Sequence, residues 1–382
     1  MTKINSLYQK AVRIQFVVCG LLFSLFSFVY LFVFQRDVLE ALHFSLAHGN
    51  THLNPLGSVL VIMLTLLILA WGVNYIVRFQ GKFHALAYIP SFFVLMAMSD
   101  IGRDVYMNGG NTMWQWLLPT LVGGFIGISF LCKHLFQVNQ DTDVTVTQLL
   151  NYNLVTLLIG SVLTVCVGAS NASLHHELEI ERHLREKNYN EALKVGERSL
   201  ETTRTLTALR ALALSHTGQL GDKLFTYPQY FGADGLFLPE DSLQILRYTN
   251  DSIYQFLGAR PYSGGNRLIY LSNLCYDERG NFNALDYYLT ALLLEKRIDS
   301  FAEAVAAFYE PEDSLPTHYR EAILMYQTIH PDFAYAVKDS SFINKYSIYT
   351  NRKSEFVSKT EEKNRMRREY GDTYWWYHDY QE

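Results

Sequence analysis

The sequence predicts an all-α protein: a five-helix transmembrane bundle followed by a soluble α-helical domain. Three observations predict it. Five apolar runs of near-spanning length fill the first 171 residues. Charge is divided sharply, with 8 Lys and Arg and 6 Asp and Glu in residues 1–171 against 24 and 31 in the remainder. No segment alternates apolar and polar residues long enough to demand a sheet. The boundary lies where the uncharged run Leu149–Ala169 gives way, after only Ser170–Leu174, to a charged helical pattern beginning at His175. A chain of 382 residues has room for two domains, placed at 1–171 and 172–382.

A membrane helix needs roughly 20 apolar residues, about 17 at the lower limit. The first run, Ile14–Phe34, is crowded with phenylalanine. Its core is too long for a signal peptide and no small-x-small cleavage site follows it, so it reads as an uncleaved span. The second run is Gly57–Val77. The third, Phe83–Ser99, is short and holds His84 and Pro90, the latter tolerated in membrane helices. The fourth, Trp114–Leu135, opens with Trp114 and Trp116, as an interfacial aromatic belt would. It also contains Gly123-Gly124-Phe125-Ile126-Gly127, a spacing that lets helices approach closely. The fifth is Leu149–Ala169. Lys3, Lys10, Arg13, Arg78, Lys82 and Lys133 flank one side of these runs, and Arg36 and Arg103 the other. This asymmetry places the N-terminus in the cytoplasm of a bacterial inner membrane and everything after Ala169 in the periplasm.

The soluble half reads as successive helices. His175–Lys187 pairs with Tyr189–Leu200, and Thr203–Thr217 follows. Leu224–Pro239, rich in Gly, Pro and aromatics, reads as irregular. Asp241 is placed as the cap of a helix reaching Leu257. Leu268–Glu278 and Phe282–Glu295 form a hairpin about Arg279-Gly280-Asn281, and further helices are expected at Ser300–Phe308, Thr317–Ile329, Ser340–Tyr346 and Arg352–Tyr370. The aromatic tail containing Trp375 and Trp376 is expected to close the end of this core.

Two stretches are alike: Lys187-Asn188-Tyr189-Asn190-Glu191-Ala192-Leu193 and Arg279-Gly280-Asn281-Phe282-Asn283-Ala284-Leu285. Both resemble the centre of a tetratricopeptide repeat, where a turn residue and an aromatic start the second helix and a small residue follows at the helix crossing. The second stretch lacks one residue before its Ala-Leu, and the interval between the two is no multiple of the family's period of about 34 residues. The resemblance therefore implies a degenerate, tetratricopeptide-like solenoid that binds a protein on one face. The whole layout, with His318-Tyr319-Arg320-Glu321-Ala322 and Tyr370-Gly371-Asp372-Thr373-Tyr374-Trp375, also resembles a family of uncharacterised bacterial membrane proteins known as a domain of unknown function.

Composition removes several classes of activity. The soluble half is acidic, which argues against nucleic acid as a partner. Neither a Cys/His zinc spacing nor a phosphate, dinucleotide or nucleophile-elbow motif occurs, so neither a metal nor a cofactor is expected. Apart from Lys133 near the end of the fourth, no charge lies inside the five runs, contrary to the pattern of ion-coupled transporters. The candidates for chemistry are acidic and basic residues of two outer loops: Asp37 and Glu40 in the first, Asp100, Arg103 and Asp104 in the second. Carboxylates there could act as general bases. Asp37 stands in a place similar to the essential acidic residue of membrane glycosyltransferases that use lipid-linked sugars, although those enzymes have more spans. Ion pairing at helix ends is the structural alternative. The leading function is a membrane-anchored interaction or assembly factor recruiting a protein partner through the helical domain. The competing one is an envelope enzyme acting on a lipid-linked or polysaccharide substrate at the outer loops.

Overall fold

A chain without charged side chains, placed in an apolar medium, satisfies its backbone only by closing hydrogen bonds within itself, and the apolar runs accordingly form helices. A computed structural model of the protein describes residues 2–47, 53–79, 81–100, 112–136, 146–168, 172–239, 246–262, 265–310, 314–335, 337, 339–353, 355–356 and 358–381. Among these residues there are eighteen α-helices and no strand. The chain divides into two units, Met1–His175 and His176–Glu382.

In the first unit, α1 (Thr2–Val29) runs into a π-helical turn, Tyr30–Phe34, and then α2 (Arg36–Leu46). The sequence reads α2 as a loop. It is a helix because Val38, Leu39 and Ala41 bury an apolar stripe. α3 (Pro55–Val77) starts at Asn54, whose Oδ1 accepts from Gly57 N at 3.2 Å. A 3₁₀ segment, Gly81–Tyr88, leads into α4 (Ile89–Ser99), and α5 (Thr112–Phe136) and α6 (Val146–Gly168) complete the unit. Five of these stretches, Val12–Phe34, Pro55–Val77, Gly81–Ser99, Met113–Leu131 and Thr147–Gly168, are long and apolar enough to cross a membrane. Such candidate spans suggest a membrane protein, and exposed Leu21, Val33, Leu64, Tyr75, Trp116 and Leu158 give it a surface suited to lipid.

The short third run is explained by its winding. At about 2.0 Å per residue in the 3₁₀ part and 1.5 Å in the α part, residues 81–99 extend about 32 Å, close to the roughly 30 Å of a hydrocarbon core. An irregular segment at that depth needs external partners for its backbone, and Asn153 of α6, fully buried, supplies them. Its Oδ1 accepts from Ala85 N at 2.7 Å, and its Nδ2 donates to Gly81 O at 3.1 Å. Gln15 of α1 donates to the same Gly81 O at 2.7 Å. At the other end of α6, Gln35 Nε2 donates to Gly168 O at 3.4 Å.

Close packing of α6 needs glycine. A Cβ at Gly160 would lie 2.5 Å from the Phe92 ring, and one at Gly168 would lie 2.2 Å from both Ser99 Oγ and Tyr30 Oη. Gly123, Gly124 and Gly127 of α5 differ: a Cβ at any of them would meet nothing within 4 Å. Within the described chain, the small-residue spacing of the fourth run therefore receives no neighbouring helix.

The second unit is a series of paired helices. α7 (Ala172–Arg185) is followed after a short turn by α8 (Tyr189–Lys194), which packs on α9 (Arg204–His216), and α10 (Leu220–Lys223) comes next. After two 3₁₀ turns, Leu224–Thr226 and Gly232–Leu236, come α11 (Asn250–Leu257), α12 (Arg267–Tyr276) and α13 (Phe282–Leu294). Then come α14 (Ile298–Phe308), α15 (Thr317–Ile329), α16 (Ser340–Lys353), α17 (Lys359–Tyr370) and α18 (Tyr374–Tyr380). Consecutive helices α12 to α15 pack on one another and α18 packs on α15, the local contact pattern of a solenoid.

Three boundaries differ from the sequence reading. The helix expected over Tyr189–Leu200 stops at Lys194, because Gly196 turns left-handed (φ +58) and Arg210 Nη2 takes Val195 O and Gly196 O at 3.0 Å each. The helix ending at Leu257 begins at Asn250, behind a capping box formed by Thr249 and Ser252, and Asp241 lies outside the described residues. The helix expected over Arg352–Tyr370 is two, because α16 extends to Lys353 and α17 starts afresh after Ser358.

Candidate functional site

The acidic candidates of the first unit are scattered over helix ends. Asp37 lies in the first turn of α2, where a carboxylate complements the helix dipole, and Glu40 lies one turn further on; both are half-buried. Asp100 caps the end of α4, and its Oδ2 accepts from Trp114 Nε1 of α5 at 2.7 Å. That carboxylate ties two candidate spans together. Arg103 and Asp104 lie outside the described residues. Among the described residues, no group of three or more His, Cys, Asp or Glu side chains is placed to hold a metal ion.

The charged side chains inside the second unit hold loops in place. Glu181 of α7, buried, accepts from the backbone N of Arg247 and, at 3.0 Å, of Tyr248. Glu177 accepts from Thr203 Oγ1, itself the cap of α9. Arg210 lies over the Tyr227 ring at 4.8 Å, and burial lowers its guanidinium to about 10. Glu321 Oε2 stands 2.9 Å from His318 Nδ1 and accepts from Tyr374 N at 2.7 Å, docking the C-terminal helix. Sequence reasoning missed these residues, since a Glu or Arg on an amphipathic helix carries no mark of burial.

What remains open is the α12–α13 hairpin. Phe282, the first residue of α13, is 88% exposed, and Tyr262 in the loop before α12 is 86% exposed. Ile269, Asn273 and Tyr276 follow one outer face of α12 at i, i+4 and i+7, and all three are exposed. The Arg279 guanidinium stacks over the Tyr262 ring at 5.2 Å. The equivalent aromatic of the first repeat-like stretch is treated differently: Tyr189 stacks on His216 at 4.4 Å, and His216 packs on Phe256 at 4.4 Å. The two stretches look alike in sequence, yet one aromatic is packed and the other is presented to solvent.

The same region carries a half-open cleft of about 390 Å³ lined by Asp234, Tyr254, Asn266, Arg267, Glu295 and Arg297 among others. Arg267 is fixed on two sides, with Nε 2.7 Å from Asp234 Oδ1 and the guanidinium over Phe237 at 4.6 Å. Glu295 Oε1 accepts from Ala233 N at 2.8 Å. The Tyr270 hydroxyl donates to Ala259 O at 2.5 Å, and burial holds its pKa above the ordinary tyrosine value. Rigid charges of both signs line the cleft at the start of α12 and the end of α13, and the exposed Tyr276 and Phe282 stand at the other end of the hairpin. Together they suit non-covalent recognition of an extended segment, the aromatics supplying area and the cleft orientation.

A family model described as a family of unknown function (DUF6057) matches residues 101–259 and 262–381, and the chain belongs to that family. The match takes in α5, α6 and nearly all of the second unit, and leaves out the first three candidate spans. No curated protein and no solved structure matches the chain.

Proposed function

We propose that this DUF6057 member is a membrane-anchored interaction factor whose tetratricopeptide-like domain recruits a protein partner through the outer face of α12 and α13. The observation that carries the reading is the open aromatic set Tyr262, Tyr276 and Phe282 on a hairpin whose other side is tightly packed by Leu271, Leu274, Ala284 and Tyr287. Large apolar side chains grouped on a soluble surface mark interaction sites, and tyrosine and phenylalanine give contact area with little conformational entropy to lose. The partner is a polypeptide segment with an apolar anchor for these rings and charged groups for Arg267, Arg297 and Asp234.

The membrane half anchors this domain. Six Lys and Arg on one side of the spans against two on the other support a cytoplasmic N-terminus and, after five spans, a periplasmic domain in a bacterial inner membrane. A reporter enzyme active only outside the cytoplasm, fused after Glu382, tests the orientation. Activity supports the periplasmic placement, and inactivity with a well-inserted fusion rejects it. The competing enzymatic reading rests on Asp37 and Asp100, and the Trp114 bond to Asp100 weighs against it. Asp37→Asn and Asp100→Asn are expected to leave function intact, whereas Phe282→Ser combined with Tyr276→Ser abolishes partner capture without unfolding the domain.

A further inference from the structure

The first unit contains a groove of about 440 Å³ between α1 and α3, with the 3₁₀ segment as its third wall. Its walls are apolar, from Phe16, Leu21, Leu67 and Trp71 to Tyr88. Besides Ser24, two of its lining residues break that pattern. His84 is more than nine-tenths buried, and its Nε2 has no hydrogen-bond partner in the protein. Asn74 is half-buried, and its Oδ1 likewise has no hydrogen-bond partner in the protein. Buried polar atoms without partners are costly, by about 1–3 kcal/mol each, and the cost is greater where no water competes.

These two residues lie at one end of the groove. Asn74 is in the last turn of α3, and His84 is in the opening 3₁₀ part of the third span. Leu67 is seven residues before Asn74, about 10 Å deeper along the helix, and Ser24 is two turns into α1 from Phe16. The groove therefore has the Asn74 amide and the His84 imidazole at the rim and, inward, mainly apolar walls interrupted by the Ser24 and Tyr88 hydroxyls, which suits an amphiphile lying along the chain direction of a bilayer. Among the described residues no Lys, Arg, Asp or Glu lines it, so these residues offer no countercharge to a phosphate or an ammonium. A hydroxyl is donor and acceptor at once: it donates its one proton to Asn74 Oδ1 and accepts from His84 Nε2–H in the tautomer that carries the proton there.

We propose that this groove is a binding site for a neutral, hydroxyl-bearing membrane lipid of the diacylglycerol class, its hydroxyl at Asn74 and His84 and one chain along Gly20, Ser24 and Leu67. The site depends only on the first unit and stands whether or not the soluble domain recruits a partner.

The test uses full-length protein in phosphatidylcholine vesicles doped with a diacylglycerol carrying a photoactivatable diazirine in one acyl chain, followed by peptide mapping. Adducts concentrate on residues 16–24 and 67–74. Asn74→Leu and His84→Phe each lower that labelling roughly fivefold to tenfold, the size expected for one lost hydrogen bond. Gly20→Leu, which grows a side chain in the groove, removes it. A second probe needs no altered protein: the methyl ether of the same lipid, its hydroxyl blocked, labels the unaltered chain as weakly as the hydroxyl form labels Asn74→Leu. Equal labelling by the ether and the free hydroxyl overturns the proposal. So does labelling spread evenly over lipid-facing surfaces such as α5.

Discussion

Trp375→Ala and Phe282→Ser form a paired perturbation that separates what holds the second unit together from what it presents. Trp375 is the largest fully buried side chain among the described residues. Its ring packs on Phe342, Tyr346 and Tyr349 at centroid distances of 5.6, 4.9 and 5.6 Å, and its Nε1 donates to Glu321 O at 3.0 Å. Truncating a buried tryptophan to alanine costs about 3–5 kcal/mol. At about 2–4 °C per kcal/mol for a unit of this size, the melting temperature falls by on the order of 10 °C. Phe282 is equally aromatic but meets solvent, so Phe282→Ser changes stability by no more than about 0.5 kcal/mol, or roughly 2 °C. The assay is thermal unfolding of the full-length protein in detergent, followed by near-ultraviolet circular dichroism. An unchanged melt for Trp375→Ala, or a Phe282→Ser loss of similar size, would refute the assignment of these two aromatics to core and surface.

Asn153→Leu removes the side chain that satisfies Ala85 N and Gly81 O, and is expected to destabilise the first unit by about 2–4 kcal/mol, read as an earlier loss of the monodisperse peak on heating. Gly160→Ala drives a methyl group into the Phe92 ring at a cost of about 1–3 kcal/mol, and Phe92→Leu in the same chain recovers part of the loss. Asp379 gives a pH signature. Burial raises its carboxyl pKa, but hydrogen bonds from His378, Lys353 and Tyr349 outweigh burial and hold it at about 2. A depressed carboxyl contributes stability that is present above its unfolded value of about 3.9 and lost as pH falls towards 2. The melting temperature therefore drops across that window more steeply than in Asp379→Asn. Burial raises the Cys275 thiol to about 12, so iodoacetamide at pH 8 modifies it far more slowly in the folded chain than in urea.

Much of the architecture was legible in the sequence, because apolar run length and the charge division at Leu149–Leu174 are read directly as candidate spans and helical pairs. The winding of the third span was not. Nothing in Phe83–Ser99 alone announces a 3₁₀ start, since that start is stabilised by Asn153 and Gln15 from distant helices. The early stop of α8 has the same origin, because Arg210 arrives from α9 to take the freed carbonyls. The acidic outer residues were readable as helix-end groups but not as partners of a particular side chain, and the indole of Trp114 on Asp100 is a tertiary fact. Phe282 and Tyr189 occupy matching places in two similar stretches, so no local pattern separates the exposed ring from the stacked one. That difference depends on His216, whose ring stacks on Tyr189 and is itself packed on Phe256.

The most direct test of the central claim is photocrosslinking from position 282 in native membranes. A benzophenone amino acid replaces Phe282, and a second preparation carries it at exposed Asn344. A recruiting face predicts a discrete protein adduct from position 282, absent from position 344 and lost when Tyr276→Ser is added. Adducts of the same kind and yield from both positions, or lipid adducts alone from position 282, would contradict the account.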